Sequence, residues 1–323
     1  MYIVTGGAGF IGSAVVWGLN SLGKEDILVV DNLGTSDKWK TLVNRRYSAY
    51  LHRDAFLELV KRDDLGNDID AIIHMGACSS TTERDADFLM ANNLEYSKEL
   101  FRFAKAQKAR FIHASSAATY GDGSQGFDDD MTRLQSLRPL NMYGYSKHLF
   151  DLWALKNRYL DELVSLKFFN VYGPNEQHKG DMRSVVNKAF CQIGETGLMR
   201  LFRSSDPAFA DGGQMRDFVY VKDCVAIILW FLQNPTTCGI FNVGTGRVRT
   251  WNDLAAAVFA AMGLPVNIEY VDMPAHLKGK YQNFTQAEMR RLADAGYTTP
   301  MHSLEQGVAD YVRRYLMQPD PFL

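Results

Sequence analysis

Short β-branched apolar runs recur through the first half of the chain, at Tyr2-Ile3-Val4, Ile27 to Val30, Ala71 to His74, Phe111 to Ala114 and Leu163 to Leu166. Between them lie longer segments whose apolar residues recur at helical spacing: Phe10 to Leu22, Asn92 to Gln107 and Tyr145 to Leu160. Strands that are apolar on both faces and alternate with helices require a parallel sheet covered on both sides, because parallel neighbours need crossover connections that pack over the sheet. The pattern predicts an α/β chain with a doubly wound parallel sheet.

The rhythm stops near Asn170. Glycine and polar residues crowd 173–183, and a loop-like stretch runs from Ser204-Ser205-Asp206-Pro207 to Gly212-Gly213. Asp217 to Val221 and Gly239 to Gly244 read as strands again, so the chain is expected to return to the first sheet before it finishes. This reading gives a dinucleotide-binding region at 1–170, completed by 215–243. A smaller, mixed C-terminal substrate-binding lobe takes 171–214 and 244–323. There is no internal repeat and no Pro/Ser-rich linker.

Composition narrows the class. The 323 residues carry 35 Lys+Arg against 37 Asp+Glu, a formal charge of −2, which leaves no electrostatic footprint for a nucleic acid partner. No run approaches the roughly 18 uninterrupted apolar residues of a membrane span, and the first residues lack a basic, then apolar, secretory pattern. Cys78, Cys191, Cys224 and Cys238 are irregularly spaced, which suits reduced thiols in a cytoplasm. Neither they nor the seven histidines show ligand spacing, so no metal is expected.

The most specific local signal is Gly6-Gly7-Ala8-Gly9-Phe10-Ile11-Gly12, which follows the first strand directly and opens a helix. Gly6, Gly9 and Gly12 suit a turn that lets a pyrophosphate approach the backbone at a helix N-terminus. The sheet is therefore expected to be Rossmann-type. Asp31 ends the second strand about 20 residues on, where a carboxylate meets the adenosine ribose. Asp31 favours NAD. Asn32 follows it, however, and Lys38, Arg45, Arg46 and Arg53 are near enough in sequence to neutralise a 2′-phosphate, which favours NADP with NAD as the alternative.

Tyr143 and Lys147 stand four residues apart, on one face of a helix that starts a little before Tyr145. A tyrosyl oxygen that takes a proton from a sugar hydroxyl needs a nearby cation, and a lysine supplies one. Ser115-Ser116 closes the fourth of these five strands at the carboxyl edge, where such sheets bind ligands.

With these residues the chain resembles the extended short-chain dehydrogenase/reductases. Gly76 to Glu83, Ala114 to Gly121, Asn170 to Pro174 with His178-Lys179-Gly180, and Leu277 to Gln282 further resemble the ADP-L-glycero-D-manno-heptose 6-epimerases. The resemblance spans essentially the whole chain. It implies an isomerase that oxidises ADP-D-glycero-β-D-manno-heptose at C6″ with a tightly held NADP, turns the ketone and returns the hydride. Such an enzyme supplies the heptose precursor of the lipopolysaccharide inner core from the cytoplasm, as a homo-oligomer, pentameric in the family.

Residue by residue, the resemblance implies Tyr143 and Lys179 as the two acid/bases, Ser116 as the polarising hydroxyl and Lys147 as the positioning cation. Inversion needs proton handling on both faces of one carbon, which makes a second titratable group opposite Tyr143 useful. Implied cofactor contacts, besides the glycines, are Phe10, Ile11, Asp31, Asn32, Lys38, Arg53, Met75, Gly76, Ala77, Cys78, Ser79, Asn92, Lys147, Val171 and Lys179. Implied substrate contacts are Ser116, Asn170, Asp181, Lys188, Phe202, Arg203, Ser204, Ser205, Arg216 and Tyr281. Arg216 is the strongest of these, since a guanidinium fork suits a diphosphate. The chain departs from the family pattern at Met75, Lys188, Arg203 and the longer 206–214 loop. A nucleotide-sugar dehydratase, the rival enzyme, needs an acid beside the catalytic hydroxyl, and Ala117 and Ala118 follow Ser116 instead. A non-catalytic dinucleotide sensor would have no use for Ser116, Tyr143 and Lys147 together.

Overall fold

The apolar runs of the first half become β1 (Tyr2–Thr5), β2 (Ile27–Asp31), β3 (Ala49–His52), β4 (Ala71–His74), β5 (Arg110–Ser116) and β6 (Leu163–Phe168) in the computed structural model, which describes residues 1–66, 68–274 and 282–323. Helices α1 (Phe10–Ser21), α2 (Arg53–Arg62), α3 (Ala86–Leu89), α4 (Tyr96–Ala106) and α5 (Met142–Lys156) lie between them. The second half adds β7 (Asn170–Tyr172), α6 (Val185–Thr196), β8 (Met199–Phe202), β9 (Met215–Tyr220), α7 (Val221–Gln233), β10 (Gly239–Val243), β11 (Val248–Thr250), α8 (Trp251–Met262) and β12 (Ile268–Val271).

Among the described residues, seven strands form one parallel sheet in the order β10-β6-β5-β4-β1-β2-β3. Strand residues alternate between its faces, as the pleat requires. Ile3, Val30 and Ile72 join Phe56, Leu100 and Phe150 on one side, while Val4, Val29 and Ile73 join α1 and α7 on the other. Each fully buried aliphatic side chain contributes about 1.5–3 kcal/mol, so both faces must stay covered. The result is a doubly wound α/β sheet of Rossmann type. Chain order reverses at β1, and a crevice opens beyond the carboxyl ends of β1 and β4.

A smaller mixed sheet, β11-β9-β7, and the pair β12-β8 lie outside the large one. Of the segment 215–243, α7 packs on α1 and β10 pairs with β6, so both belong with the large sheet. β9 does not: it pairs with β7 and β11 in the smaller sheet, and the chain rejoins the large sheet only with α7 and β10.

Three local differences from the sequence pattern have physical causes. β3 is a four-residue edge strand, half-exposed and too short to read as a run. The helix expected from Asn92 begins as a wider π turn over Met90–Glu95 and becomes regular only at Tyr96. α5 starts at Met142 because the Asn141 side chain caps it, accepting from the Gly144 N–H at 2.8 Å. No helix among the described residues is long and apolar enough to cross a membrane.

Candidate active site

The glycine loop leaves β1 with Gly6 at φ +62°, a conformation that L side chains rarely adopt. A Cβ on Gly12 would fall 2.0 Å from the Gly6 carbonyl oxygen, so the first turn of α1 can lie on the loop only without one. Gly9 caps α1 with no side chain, and the free N–H groups of the first turn point out of the helix end. Asp31 sits at the carboxyl end of β2. It accepts from the Ala8 N–H at 2.8 Å and the Asn32 N–H at 2.6 Å, and pairs with the Lys38 ammonium at 2.5 Å.

These groups line one cleft of about 760 Å³ that runs from the Asp31 end to Ser116 and Tyr143. It gathers Gly6, Gly9, Phe10, Ile11, Gly12, Asn32, Lys38, Arg53, Met75, Gly76, Ala77, Cys78, Ser79, Asn92, Lys147, Val171 and Lys179. Arg53 hydrogen-bonds the Asn92 side chain and lies against the Tyr96 ring. The two other cations near Asp31 in sequence point elsewhere. Arg45, half-buried, bonds the Leu323 carbonyl, and Arg46 pairs with Glu25 at 2.6 Å, both outside the cleft wall.

Ser116, Tyr143 and Lys147 meet where β5 ends. A Cβ on Gly144 would come within 2.6 Å of the Ala118 carbonyl, so its absence lets α5 lie directly on the turn after Ser116. Ser116 accepts from the Ala118 N–H at 3.1 Å, and its hydroxyl bonds the Tyr143 phenol. Burial pushes that phenol above its ordinary value, and the Ser116 hydrogen bond works against the rise. Lys147 is buried, with no hydrogen-bond partner for Nζ among the described residues. Burial pushes it down to about 8, with Asp151 and Cys78 pulling the other way.

Lys179 arrives on the 3-10 segment Gln177–Met182, which follows β7 and lies against Asp37–Leu42. Its ammonium stands 5.4 Å from the Phe10 ring. Burial lowers it, opposed by Glu176. A buried, unpartnered ammonium, a cradle closed to any Cβ and an acidic strand end together fit a dinucleotide.

The substrate candidates are more dispersed. Asn170 lines the cleft. Arg216, on β9, is buried against Trp251 at 5.6 Å and bonds the Gln282 carbonyl. Phe202 ends β8; Arg203 pairs with Asp211 and Asp272, and Ser204 and Ser205 start the loop that Asp206 and Asp211 organise. Asp181 and Lys188 are exposed and bonded to each other, Lys188 Nζ to the Asp181 carbonyl at 2.6 Å, outside the cleft wall. Tyr281, with the rest of 277–281, lies outside the described residues. The cleft also contains Phe88, Tyr96, His178, Arg183 and Trp251, which the sequence reading left without a role. Only His178 carried a signal, as the neighbour of Lys179.

The model of the NAD dependent epimerase/dehydratase family matches residues 2–244. An ADP-L-glycero-D-manno-heptose-6-epimerase of Nitratidesulfovibrio vulgaris is 66% identical over 323 residues, covering 100% of both chains. Its counterpart in Fusobacterium nucleatum is 48% identical over 332 residues, again with 100% of both covered. The crystal structure of the Helicobacter pylori ADP-L-glycero-D-manno-heptose-6-epimerase superposes with a TM-score of 0.83 at 26% identity, covering 97% of this chain and 95% of that one. With a model match over most of its length and full-length relatives this similar, the chain belongs to the NAD dependent epimerase/dehydratase family and, within it, to the ADP-L-glycero-D-manno-heptose-6-epimerases.

Proposed function

We propose that this chain epimerises ADP-D-glycero-β-D-manno-heptose at C6″ by reversible oxidation, with a nicotinamide dinucleotide in the glycine-loop cleft. The observation that carries the reading is the meeting of Ser116, Tyr143 and the unpartnered Lys147 in the same cleft as the glycine cradle. Gly6, Gly9, Gly12, Asp31 and Lys147 would hold the cofactor, which when bound supplies the acceptor and donor for the carbon-bound hydrogen.

Tyr143 handles the proton of the C6″ hydroxyl on one face, with Ser116 polarising the oxygen. Lys147, one helical turn along, favours the ionised phenol by its charge. Lys179, whose ammonium stands over the Phe10 ring, handles the proton on the opposite face. Arg216 holds the diphosphate. The large sheet with α7 and β10 carries the dinucleotide, and the smaller lobe carries the sugar nucleotide. A proton donor beside Ser116 is missing, since Ala117 and Ala118 hold those positions, and this disfavours dehydration.

The test is an NMR assay of purified protein with ADP-D-glycero-β-D-manno-heptose. The expected result is conversion to the L-glycero epimer with no added cofactor, and in D₂O without deuterium at C6″. No conversion, or solvent label at that carbon, would overturn the reading.

NADP is the proposed form, supported by Asn32, Lys38 and Arg53 around Asp31, whose charge Lys38 already balances. Denatured protein is expected to release NADP in excess over NAD, read by mass spectrometry; NAD alone would reverse the assignment. The proposed setting is cytoplasmic, in supply of heptose for the lipopolysaccharide inner core, with the chain acting as a homo-oligomer.

A further inference from the structure

Beneath Lys147, away from the cleft, α5 carries a second buried charge that the chemistry above does not use. Asp151 lies one turn further on the same face, and its carboxylate is fully buried. It accepts from Ser115 Oγ at 2.8 Å and from Ser165 Oγ at 2.6 Å, and pairs with Lys167 Nζ at 3.1 Å. Lys167 is also fully buried. It donates to Thr119 Oγ1 at 2.6 Å and sits 4.8 Å from the Tyr120 ring, and the Thr119 hydroxyl donates to the Ser116 carbonyl at 2.8 Å.

Two ammoniums and one carboxylate thus share this interior. A pair built for stability alone gains little over apolar side chains of equal volume, because desolvation offsets the attraction. Here the carboxylate lies one helical turn from a third group, Lys147, whose ammonium its charge supports and whose Nζ has no hydrogen-bond partner among the described residues. Among the other groups around Lys147, Cys78 supports its charge after Asp151, and the histidines do not. Burial pushes the Tyr143 phenol on α5 above its ordinary value. His74 on β4 is pushed down to about 3 and His113 on β5 well below its usual range, in both cases by burial first and Lys147 second. His148, next on α5, is pushed down to about 4 by burial.

We propose that Asp151 is a positioning residue for the epimerisation. Its buried carboxylate keeps the Lys147 ammonium charged beneath the cleft and, through Ser115 and Lys167, ties α5 to the strand end that bears Ser116. Lys167 shares that carboxylate and so sets how much of its field Lys147 feels. The inference rests on the proposed reaction for its kinetic readout.

The experiment measures kcat against pH for the holoenzyme and for Asp151→Asn and Lys167→Met. Asp151→Asn is expected to move the alkaline fall-off down by about one pH unit, so that turnover falls roughly tenfold more at pH 9 than at pH 6. Asp151→Glu should restore most of the profile. Lys167→Met removes a competing cation and is expected to move the fall-off up, a direction that damage to packing does not produce. A uniform loss in Asp151→Asn with the fall-off unmoved, or a downward move in Lys167→Met, would overturn the proposal. Should Asp151→Asn not fold, Lys167→Met decides. Wild-type protein that turns over no ADP-heptose would instead sink the proposed reaction. The pH at which each variant releases its bound nicotinamide cofactor would then report on Asp151 by itself, since Lys147 lines that site.

Discussion

Tyr143→Phe is expected to fold, to keep its cofactor and to lose turnover by roughly 10²–10⁴, the span for removing one positioned acid/base. At 1.36 kcal/mol per decade that is about 2.7–5.4 kcal/mol of barrier. The fold should survive because the ring stays and only one hydrogen bond, with Ser116, is lost, a matter of about 1 kcal/mol. The chemistry should not survive, because the phenol is the group that the end of β5 and the start of α5 bring together with Ser116. In the free chain burial keeps that phenol protonated, ready to donate. In the proposed reaction, its use as a base depends on the charge that Lys147 adds. Steady-state turnover beside bound-cofactor absorbance checks both halves. Activity within a few-fold of wild type would remove Tyr143 from proton handling.

Lys179→Met should cost a comparable 10²–10⁴ in turnover, and Lys179→Arg should not restore it. The distinction matters because a lysine above the glycine loop could serve simply as a fixed positive charge. Arginine would fill that role, since its guanidinium stays protonated at any working pH. A lysine that must give up and recover a proton has no such substitute. Its surroundings suit the exchange: burial disfavours the ammonium, and the carboxylate that supports it, Glu176, is taken up by the N–H and hydroxyl of Ser184 at the start of α6. If Lys179→Arg works nearly as well as wild type, Lys179 is a phosphate partner and the second acid/base must be sought elsewhere in the cleft.

How far the site was legible follows from how local each signal is. The glycine loop could be read because strand, turn and helix follow one another in sequence, and the close approach of Gly12 to Gly6 is settled within seven residues. Tyr143 and Lys147 could be paired because a helix brings i and i+4 together whatever surrounds it. The start of that helix could not be placed, since it depends on the Asn141 cap and on Gly144 resting against Ala118. Among the cations near Asp31, sequence distance did not separate Lys38 and Arg53, which line the cleft, from Arg45 and Arg46, which leave it for Leu323 and Glu25.

By itself, the order of residues determined the alternation of apolar strands with amphipathic helices, hence the doubly wound sheet, the glycine turn at the end of β1 and the spacing of the tyrosine and lysine. These are properties of backbone hydrogen bonding and side-chain period, which act over a few residues. Only the tertiary structure decided which charges face the cleft, that Lys179 reaches it on a segment packed against Asp37–Leu42, and that Lys147 lies buried one turn from the Asp151 carboxylate. Those outcomes depend on desolvation and on contacts between segments far apart in the chain. Such terms reach their value only once the lobes have packed and water has been excluded.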